Sequence, residues 1–196
     1  KGNNGGDGLA IARMLITNSI KTKIFFIGEE DKATPDCKKN FEILKAYNAD
    51  IVYTTDNINI KDYDLVVDAL IGTGLSRRLN DKYSNIVNLI NKGKFVVAVD
   101  CPTGVNSDTG NDYSIAVNAD ITVTFHLPKK GLLLYPAFSH IGKLIVKNIG
   151  APYIGSYNTF ILDNPKELMP KRYNDSNKGT YGKALFVSGC DTMAGA

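Results

Sequence analysis

Several residue types that mark whole classes of protein are scarce in this sequence of 196 residues: it has no tryptophan, two histidines and three cysteines. The cysteines are odd in number and widely separated, which argues against a disulfide framework and favours a reducing, cytoplasmic compartment. The longest apolar run, Leu65–Ile71, is interrupted by Asp68 and is far shorter than the ~18 residues that cross a bilayer. A formal net charge of +3 is too small for an electrostatic nucleic-acid binder. We therefore expect neither a membrane nor a nucleic acid as partner.

The composition that remains is typical of a folded α/β protein. Hydrophobic residues make up 43% of the chain and charged residues 22%, which is close to globular averages. Short apolar runs alternate with amphipathic segments, and this order predicts a Rossmann-like fold with a parallel, doubly wound sheet. The predicted strands are 22–28, 50–54, 63–71, 94–99, 120–126 and 142–148. Residues 5–18 are predicted to be a glycine loop that opens a helix, and the other predicted helices are 34–47 and one around 86–90.

The first candidate site is the glycine-rich segment Gly2–Gly8, which has four glycines in seven residues. Glycine lets the backbone approach a ligand, and free N–H groups at the start of the following helix favour an anion such as a dinucleotide pyrophosphate. The alternative is a plain glycine-rich turn in which Asp7 caps the helix. A P-loop is excluded, because no Gly-Lys-Ser/Thr follows the segment.

Two predicted strands each carry a carboxylate at or near their carboxyl end. Asp68 lies inside an apolar run, where a buried charge is costly unless it is paired or bound to a cation. Asp100 ends the strand 94–99. Because the carboxyl ends of parallel strands meet at one edge, both aspartates and the glycine-rich segment should converge in one crevice. Oxygen ligands there suit a hard cation rather than zinc or copper. The alternative is that both aspartates are unrelated loop caps.

Basic residues follow two strands at the same predicted edge. The segment Gly72–Arg78 is a Gly-Thr-Gly turn followed by two arginines, which could contact phosphate or could simply be solvated surface. Lys129 follows the strand 120–126, and it could carry a proton or bind an acidic group.

Five segments resemble, in this order, the NAD(P)H-hydrate epimerase family, also called the YjeF N-terminal domain. They span about residues 1–150 and read GNNGGDGLAIAR, VVDALIGTGLSR, VAVDCPTGVNSDTG, ADITVTFHLPKKGLL and GKLIVKNIG. The resemblance implies a Rossmann-like three-layer αβα sandwich that interconverts the R and S forms of NAD(P)H hydrate (NAD(P)HX) at C6. A later segment, RYNDSNKGTYGKALFVSGCDTMAGA, resembles the opening of an ADP-dependent NAD(P)H-hydrate dehydratase, a ribokinase-like α/β domain.

The resemblance therefore implies two domains from a bifunctional enzyme of nicotinamide nucleotide repair. Residues 1–157 would be an epimerase domain without its N-terminal strand and helices, and residues 158–196 would begin a truncated dehydratase domain. ADP or ATP would serve the dehydratase domain alone, and most of that site lies beyond these residues. The sequence leaves open whether the protein is a homo-oligomer and whether it prefers the NADH- or the NADPH-derived substrate.

Site residues are carried over by position from the same resemblance. It implies potassium as the cofactor, with Asn4, Asp68 and Thr103 as ligands; the family commonly has serine at position 103, and threonine keeps the hydroxyl. Asp100 is expected to shuttle the proton, and Lys129 is a candidate acid on the opposite side of the substrate. Asn177 stands where the family typically has histidine and is given no role. The implied substrate-binding residues are Asn3, Asn4, Gly5, Gly6, Asp7, Gly72, Thr73, Gly74, Leu75, Ser76, Arg77, Arg78 and Asp100.

Two other functions remain open, the first from the residues themselves and the second from the fold that the resemblance implies. A Rossmann dehydrogenase would use Glu29 or Glu30 as the acid that binds a ribose, but it would leave Asp68 and Asp100 without a role. A non-catalytic scaffold is the second, because the same fold occurs in assembly factors of RNA decapping. The two aspartates and the dehydratase-like tail argue against that reading.

Overall fold

The computed structural model describes residues 1–54, 58–152, 171, 173–177, 179–183 and 185. The chain divides into two compact units, Lys1–Ile154 and Gly155–Ala196. The predicted domain boundary at 157/158 lies outside the described residues and therefore stays a prediction.

The first unit contains all six predicted strands and all three predicted helices. All six strands are shorter than the sequence predicts. None of the described helices combines the length and the apolar character that crossing a membrane requires. The elements are α1 (Asn3–Thr17), β1 (Lys23–Phe25), α2 (Pro35–Ala46), β2 (Asp50–Val52), β3 (Val66–Asp68), α3 (Asp81–Ile90), β4 (Val96–Val99), β5 (Ile121–Phe125) and β6 (Lys143–Lys147).

Every strand pair is parallel, which confirms the predicted α/β class. The strands form two ladders, β1–β2 and β3–β4–β5–β6, where the sequence predicts one continuous sheet. Because β3, β4 and β5 are adjacent and parallel, the residues that follow them lie side by side at one edge. That edge receives Asp68, Asp100 and the segment that leads to Lys129.

Three apolar clusters hold these elements together. Buried side chains of α3, including Val87 and Ile90, pack against Val96 of β4. A second cluster joins α1, α2 and β1, and a third lies beneath the loops that follow β4 and β5. Burial of each such side chain contributes about 1.5–3 kcal/mol, so these contacts fix where the strand ends lie.

The glycine-rich segment forms the first turns of α1 rather than a loop before it. The helix begins at Asn3, and its N-cap position is occupied by Gly2 with no side-chain cap, so Asp7 does not cap it. A Cβ atom at Gly6 would lie 3.3 Å from the Cα of Cys37, and one at Gly8 would lie 2.5 Å from the Cβ of Ala69. Close packing against α2 and against the residue after β3 therefore overrides the low helix propensity of glycine.

Gly104, in the loop after β4, is a position where only glycine fits. Its φ is +107°, and a Cβ atom there would lie 2.3 Å from the carbonyl oxygen of Ile115. We expect Gly104→Ala to lower the free energy of unfolding by about 2–4 kcal/mol, because it adds both backbone strain and a steric clash. Gly74→Ala is the control: its Cβ would meet no atom within 4 Å. Urea denaturation measures both, and equal losses would contradict the explanation.

In the second unit, the described residues form turns. The backbone N–H of Tyr173 donates to the hydroxyl of Tyr181 (2.8 Å), and the N–H of Gly179 donates to Oδ1 of Asn177 (2.8 Å). Asn177 thus stabilises a local turn.

Candidate active site

Asp68, the last residue of β3, is completely buried and links the loops that follow β3 and β4. Its Oδ2 accepts a hydrogen bond from the backbone N–H of Thr103 (2.7 Å). Its Oδ1 accepts from the hydroxyl of Thr103 (2.7 Å) and from the N–H of Leu70 (3.2 Å). One carboxylate therefore fixes the two loops relative to each other.

The charge of Asp68 is not balanced by a basic side chain. Burial raises the pKa of this carboxyl, and the hydrogen bonds from Thr103 and Leu70 oppose that shift only in part. Among the ion pairs of the described residues, none involves Asp68. An ionised carboxylate in this position is costly unless a cation accompanies it.

Asn4, in the first turn of α1, contacts the same two loops. In the amide orientation that satisfies both of its polar atoms, the side chain donates to the carbonyl oxygen of Val99 (3.1 Å) and accepts from the N–H of Gly72 (3.2 Å). The hydroxyl oxygen of Thr103 accepts from the N–H of Ile71 (3.1 Å). The short segment 68–72 therefore contacts both side chains: Asp68 and Ile71 bond Thr103, and Gly72 bonds Asn4.

The donor chemistry of these three side chains fits a hard monovalent cation. An amide oxygen, a carboxylate and a hydroxyl are all oxygen donors, and the carboxylate supplies one negative charge. Within the described ranges, no three or more His, Cys, Asp or Glu residues are grouped so that they could bind zinc or another transition metal. The residues present therefore suit the predicted potassium ion.

Asp100 follows β4 directly and has an unusual backbone conformation. Its φ is +65°, in the left-handed region that aspartate tolerates better than most residues. Its N–H donates to the carbonyl oxygen of Val123 (2.8 Å), which keeps it at the end of the β4–β5 ladder. Its Oδ1 accepts from the hydroxyl of Thr124 (3.0 Å) and from the N–H of Phe125 (3.3 Å).

Lys129 lies beside Asp100, which lends no support to the expectation that it is an acid on the opposite side of the substrate. Its Nζ is 3.0 Å from Oδ1 of Asp100. It also donates to the carbonyl oxygens of Phe125 (2.6 Å) and Leu127 (3.4 Å). Three acceptors on the protein surround this ammonium, because the chain turns back immediately after β5. Lys129 is therefore placed to hold Asp100 rather than to approach a ligand from another direction.

Asp7 is the second acidic group that shares this region with Asp100. Desolvation raises the pKa of the Asp7 carboxyl, and the negative charge of Asp100 raises it further. Asn4 of the same helix contacts Val99, the last residue of β4, so the start of α1 lies next to the end of that strand. The predicted convergence of the glycine-rich segment and the two strand-end aspartates is therefore present in the structure.

The segment 72–78 runs along the same edge, but its side chains differ in what they can reach. Leu75 is buried in the apolar cluster with α3, so only its backbone could face a ligand, and its carbonyl oxygen already accepts from Nδ2 of Asn106 (2.8 Å). Gly72 is buried beneath Asn4. The exposed members are Thr73, Gly74, Ser76, Arg77 and Arg78.

Two residues of this site are missing from the sequence-based predictions. Thr124 is completely buried and bonds Asp100, and Asn106 supports the segment 72–78. The available signal for Thr124 was a polar residue at an alternate position of an otherwise apolar strand. That signal does not identify the bonding partner.

The acids that a dehydrogenase would use for ribose are both occupied. The carboxylate of Glu30 binds Nζ of Lys45 (2.7 Å) and the hydroxyl of Tyr53. Glu29 forms an exposed ion pair with Lys32 (2.6 Å). The geometry therefore gives no support to the dehydrogenase reading.

Comparison with known proteins identifies related sequences along the whole chain. Residues 1–131 match the family model described as YjeF-related protein N-terminus. The chain is 42% identical to the bifunctional NAD(P)H-hydrate repair enzyme Nnr of Thermofilum pendens, over 100% of this chain and 39% of that protein. It is 40% identical to the NAD(P)H-hydrate epimerase of Levilactobacillus brevis, over 76% of this chain and 69% of that protein. The chain thus spans about two fifths of the bifunctional relatives that it matches.

A solved structure has a similar fold. The crystal structure of yeast ynu0 superposes with a TM-score of 0.60 at 25% identity, and the match covers 74% of this chain and 61% of that one. This likeness, together with the parallel ladders, confirms the Rossmann-like part of the fold prediction.

Proposed function

The chain belongs to the family of YjeF-related protein N-termini, and on this basis we propose that its first unit is an NAD(P)H-hydrate epimerase. It would interconvert the R and S forms of NAD(P)HX at C6 and so act in nicotinamide nucleotide repair. The names of its relatives, a bifunctional NAD(P)H-hydrate repair enzyme and an NAD(P)H-hydrate epimerase, support this reaction. The observation that carries the proposal is the meeting of α1, Asp68 and Asp100 at one strand edge.

The reaction requires that a hydroxyl group on C6 of the reduced ring leave and return on the other face. The C6–O bond breaks with both electrons on oxygen, a proton converts the leaving hydroxide to water, and the ring-nitrogen lone pair forms an iminium C=N bond. Water then adds to the opposite face and loses one proton. Atoms and electrons balance without an oxidant or a reductant, so the protein needs to supply proton transfer and negative charge.

Asp100 fits both requirements. As a carboxylate it accepts the proton of the incoming water, and as a carboxylic acid it returns a proton to the leaving hydroxyl. Its negative charge also stabilises the positive iminium ring. Lys129, 3.0 Å away, holds the carboxylate in place.

The remaining residues would bind the dinucleotide. The free N–H groups of the first turn of α1 are suited to the pyrophosphate, since the helix start has no side-chain cap. Arg77 and Arg78 are exposed on the neighbouring segment and could contact a phosphate. Asn4, Asp68 and Thr103 would hold a potassium ion. When bound, that ion supplies a fixed positive charge that neutralises the buried carboxylate and attracts phosphate.

The second unit extends the proposal to a bifunctional parent. We infer that residues beyond the first unit begin an ADP-dependent dehydratase, which would use ADP or ATP and restore NAD(P)H from the epimerised hydrate in the cytoplasm. Alignments that cover the whole of this chain and about two fifths of the bifunctional repair enzymes support this interpretation.

The test is direct. NADHX enriched in the R form is incubated with the chain in potassium buffer, and chromatography follows the growth of the S form. We expect equilibration well above the spontaneous rate, and circular dichroism verifies that the protein is folded. A folded protein that leaves the spontaneous rate unchanged would contradict the proposal. Formation of oxidised nicotinamide would instead indicate a dehydrogenase.

A further inference from the structure

The two oxygens of the Asp100 carboxylate have different surroundings. Oδ1 lies 3.0 Å from the hydroxyl of Thr124, 3.3 Å from the N–H of Phe125 and 3.0 Å from Nζ of Lys129. Among the described residues, no hydrogen-bond donor contacts Oδ2. The protein thus holds one oxygen and leaves the other to a ligand.

Of the three groups on Oδ1, Thr124 is the one whose side chain is both short and fixed. It is completely buried, and β5 is locked to β4 by the register that pairs Val99 with Val123. A β-branched side chain has few rotamers, so the position of its hydroxyl follows from the backbone. Lys129, in contrast, reaches Asp100 through a long, flexible chain.

The backbone of Asp100 makes such support necessary. The left-handed conformation aims the side chain back across the end of β5. A carboxylate attached to a turn can swing about χ1 unless a second bond restrains it. Thr124 supplies that bond from the neighbouring strand.

We propose that Thr124 is a positioning residue that orients Asp100 through Oδ1, so that Oδ2 is the atom that exchanges protons with the substrate. This inference rests on the proposed epimerase function. Thr124 itself is buried and does not touch the substrate.

The matched control is two residues away on the same strand. Thr122 is also completely buried, and its hydroxyl donates to the carbonyl oxygen of Ile141 (2.8 Å) rather than to Asp100. Thr124→Val and Thr122→Val each remove one buried hydroxyl and keep the β-branched shape. The two variants should therefore lose similar stability and differ in catalysis.

We expect Thr124→Val to lower kcat by about 10- to 100-fold with KM changed by less than about threefold, because substrate still binds but meets a misplaced carboxylate. Thr124→Ser should recover most of kcat, and Thr122→Val should keep it. Epimerisation kinetics and thermal melting are measured for all four proteins. Unchanged kcat in Thr124→Val, or an equal loss in Thr122→Val at equal stability, overturns the positioning role alone. A folded wild type without epimerisation overturns the proposed function and this inference together.

Discussion

Asp100→Asn should reduce the epimerisation kcat by about 100-fold or more, since it removes the group that carries the proton. The substitution should preserve the backbone conformation and the hydrogen bonds of this position. Asparagine tolerates the left-handed backbone as aspartate does, and its Oδ1 can still accept from Thr124 and Phe125. Charge and proton transfer are lost while the shape is kept. Steady-state kinetics on the separated epimers measure the effect.

Asp50→Asn controls for loss of a surface carboxylate. Asp50 begins β2 and forms a 3.3 Å ion pair with Lys23 on the surface, away from the strand ends described above. The Asp50→Asn variant should keep kcat within about twofold of the wild-type value, because exposed ion pairs contribute little to stability. If Asp100→Asn retained more than about a tenth of the wild-type kcat in a folded protein, Asp100 could not be the principal acid–base group.

Asp68→Asn should abolish the response of the protein to potassium and raise the KM for the hydrate, by about tenfold or more if a cation helps to hold phosphate. The reason is that the buried carboxylate is the only negatively charged member of the proposed ligand set. The change also turns an NH2 group toward a donor of Thr103 or Leu70, which should cost about 1–3 kcal/mol of stability. A melting curve at rising potassium concentration reads cation binding without any assay of activity.

Choline chloride at equal ionic strength separates cation binding from general screening. Asp64→Asn, at a highly exposed position paired with Lys94, should keep the potassium-dependent rise in melting temperature. A wild type whose melting temperature responds equally to both salts would contradict the cation site. If Asp68→Asn kept the potassium response and Asp100→Asn lost it, the roles of the two aspartates would be reversed.

The sequence was sufficient to predict which strand ends meet, because that depends on the order of elements. An apolar run broken by Asp68, and another that ends at Asp100, lie on adjacent parallel strands, so their proximity follows from topology. The helix start was harder to predict. Glycines at positions 5, 6 and 8 indicate a loop by propensity, whereas contacts with Cys37 and Ala69 make them helical.

Contacts made by side chains after the strand ends could not be predicted from patterns. On the sequence alone, Lys129 is assigned to the opposite side of the substrate from Asp100. The distance between these two residues depends on how the chain turns after β5, which the sequence pattern does not specify. The left-handed conformation of Asp100 likewise leaves no mark in the sequence, because aspartate is common in ordinary turns as well. Such features arise from local backbone geometry rather than from periodicity.

The contact between Gly8 and Ala69 has a consequence for how variants of this protein should be interpreted. Only a hydrogen atom at position 8 leaves room for the methyl group of Ala69, so this pair acts as a spacer between α1 and the end of β3. Neither residue offers a ligand atom, yet a single added methyl group must move the helix that carries Asn4. In a mutational screen, a substitution at position 8 that abolishes function would therefore look like the loss of a ligand-binding side chain, although every such side chain was still present.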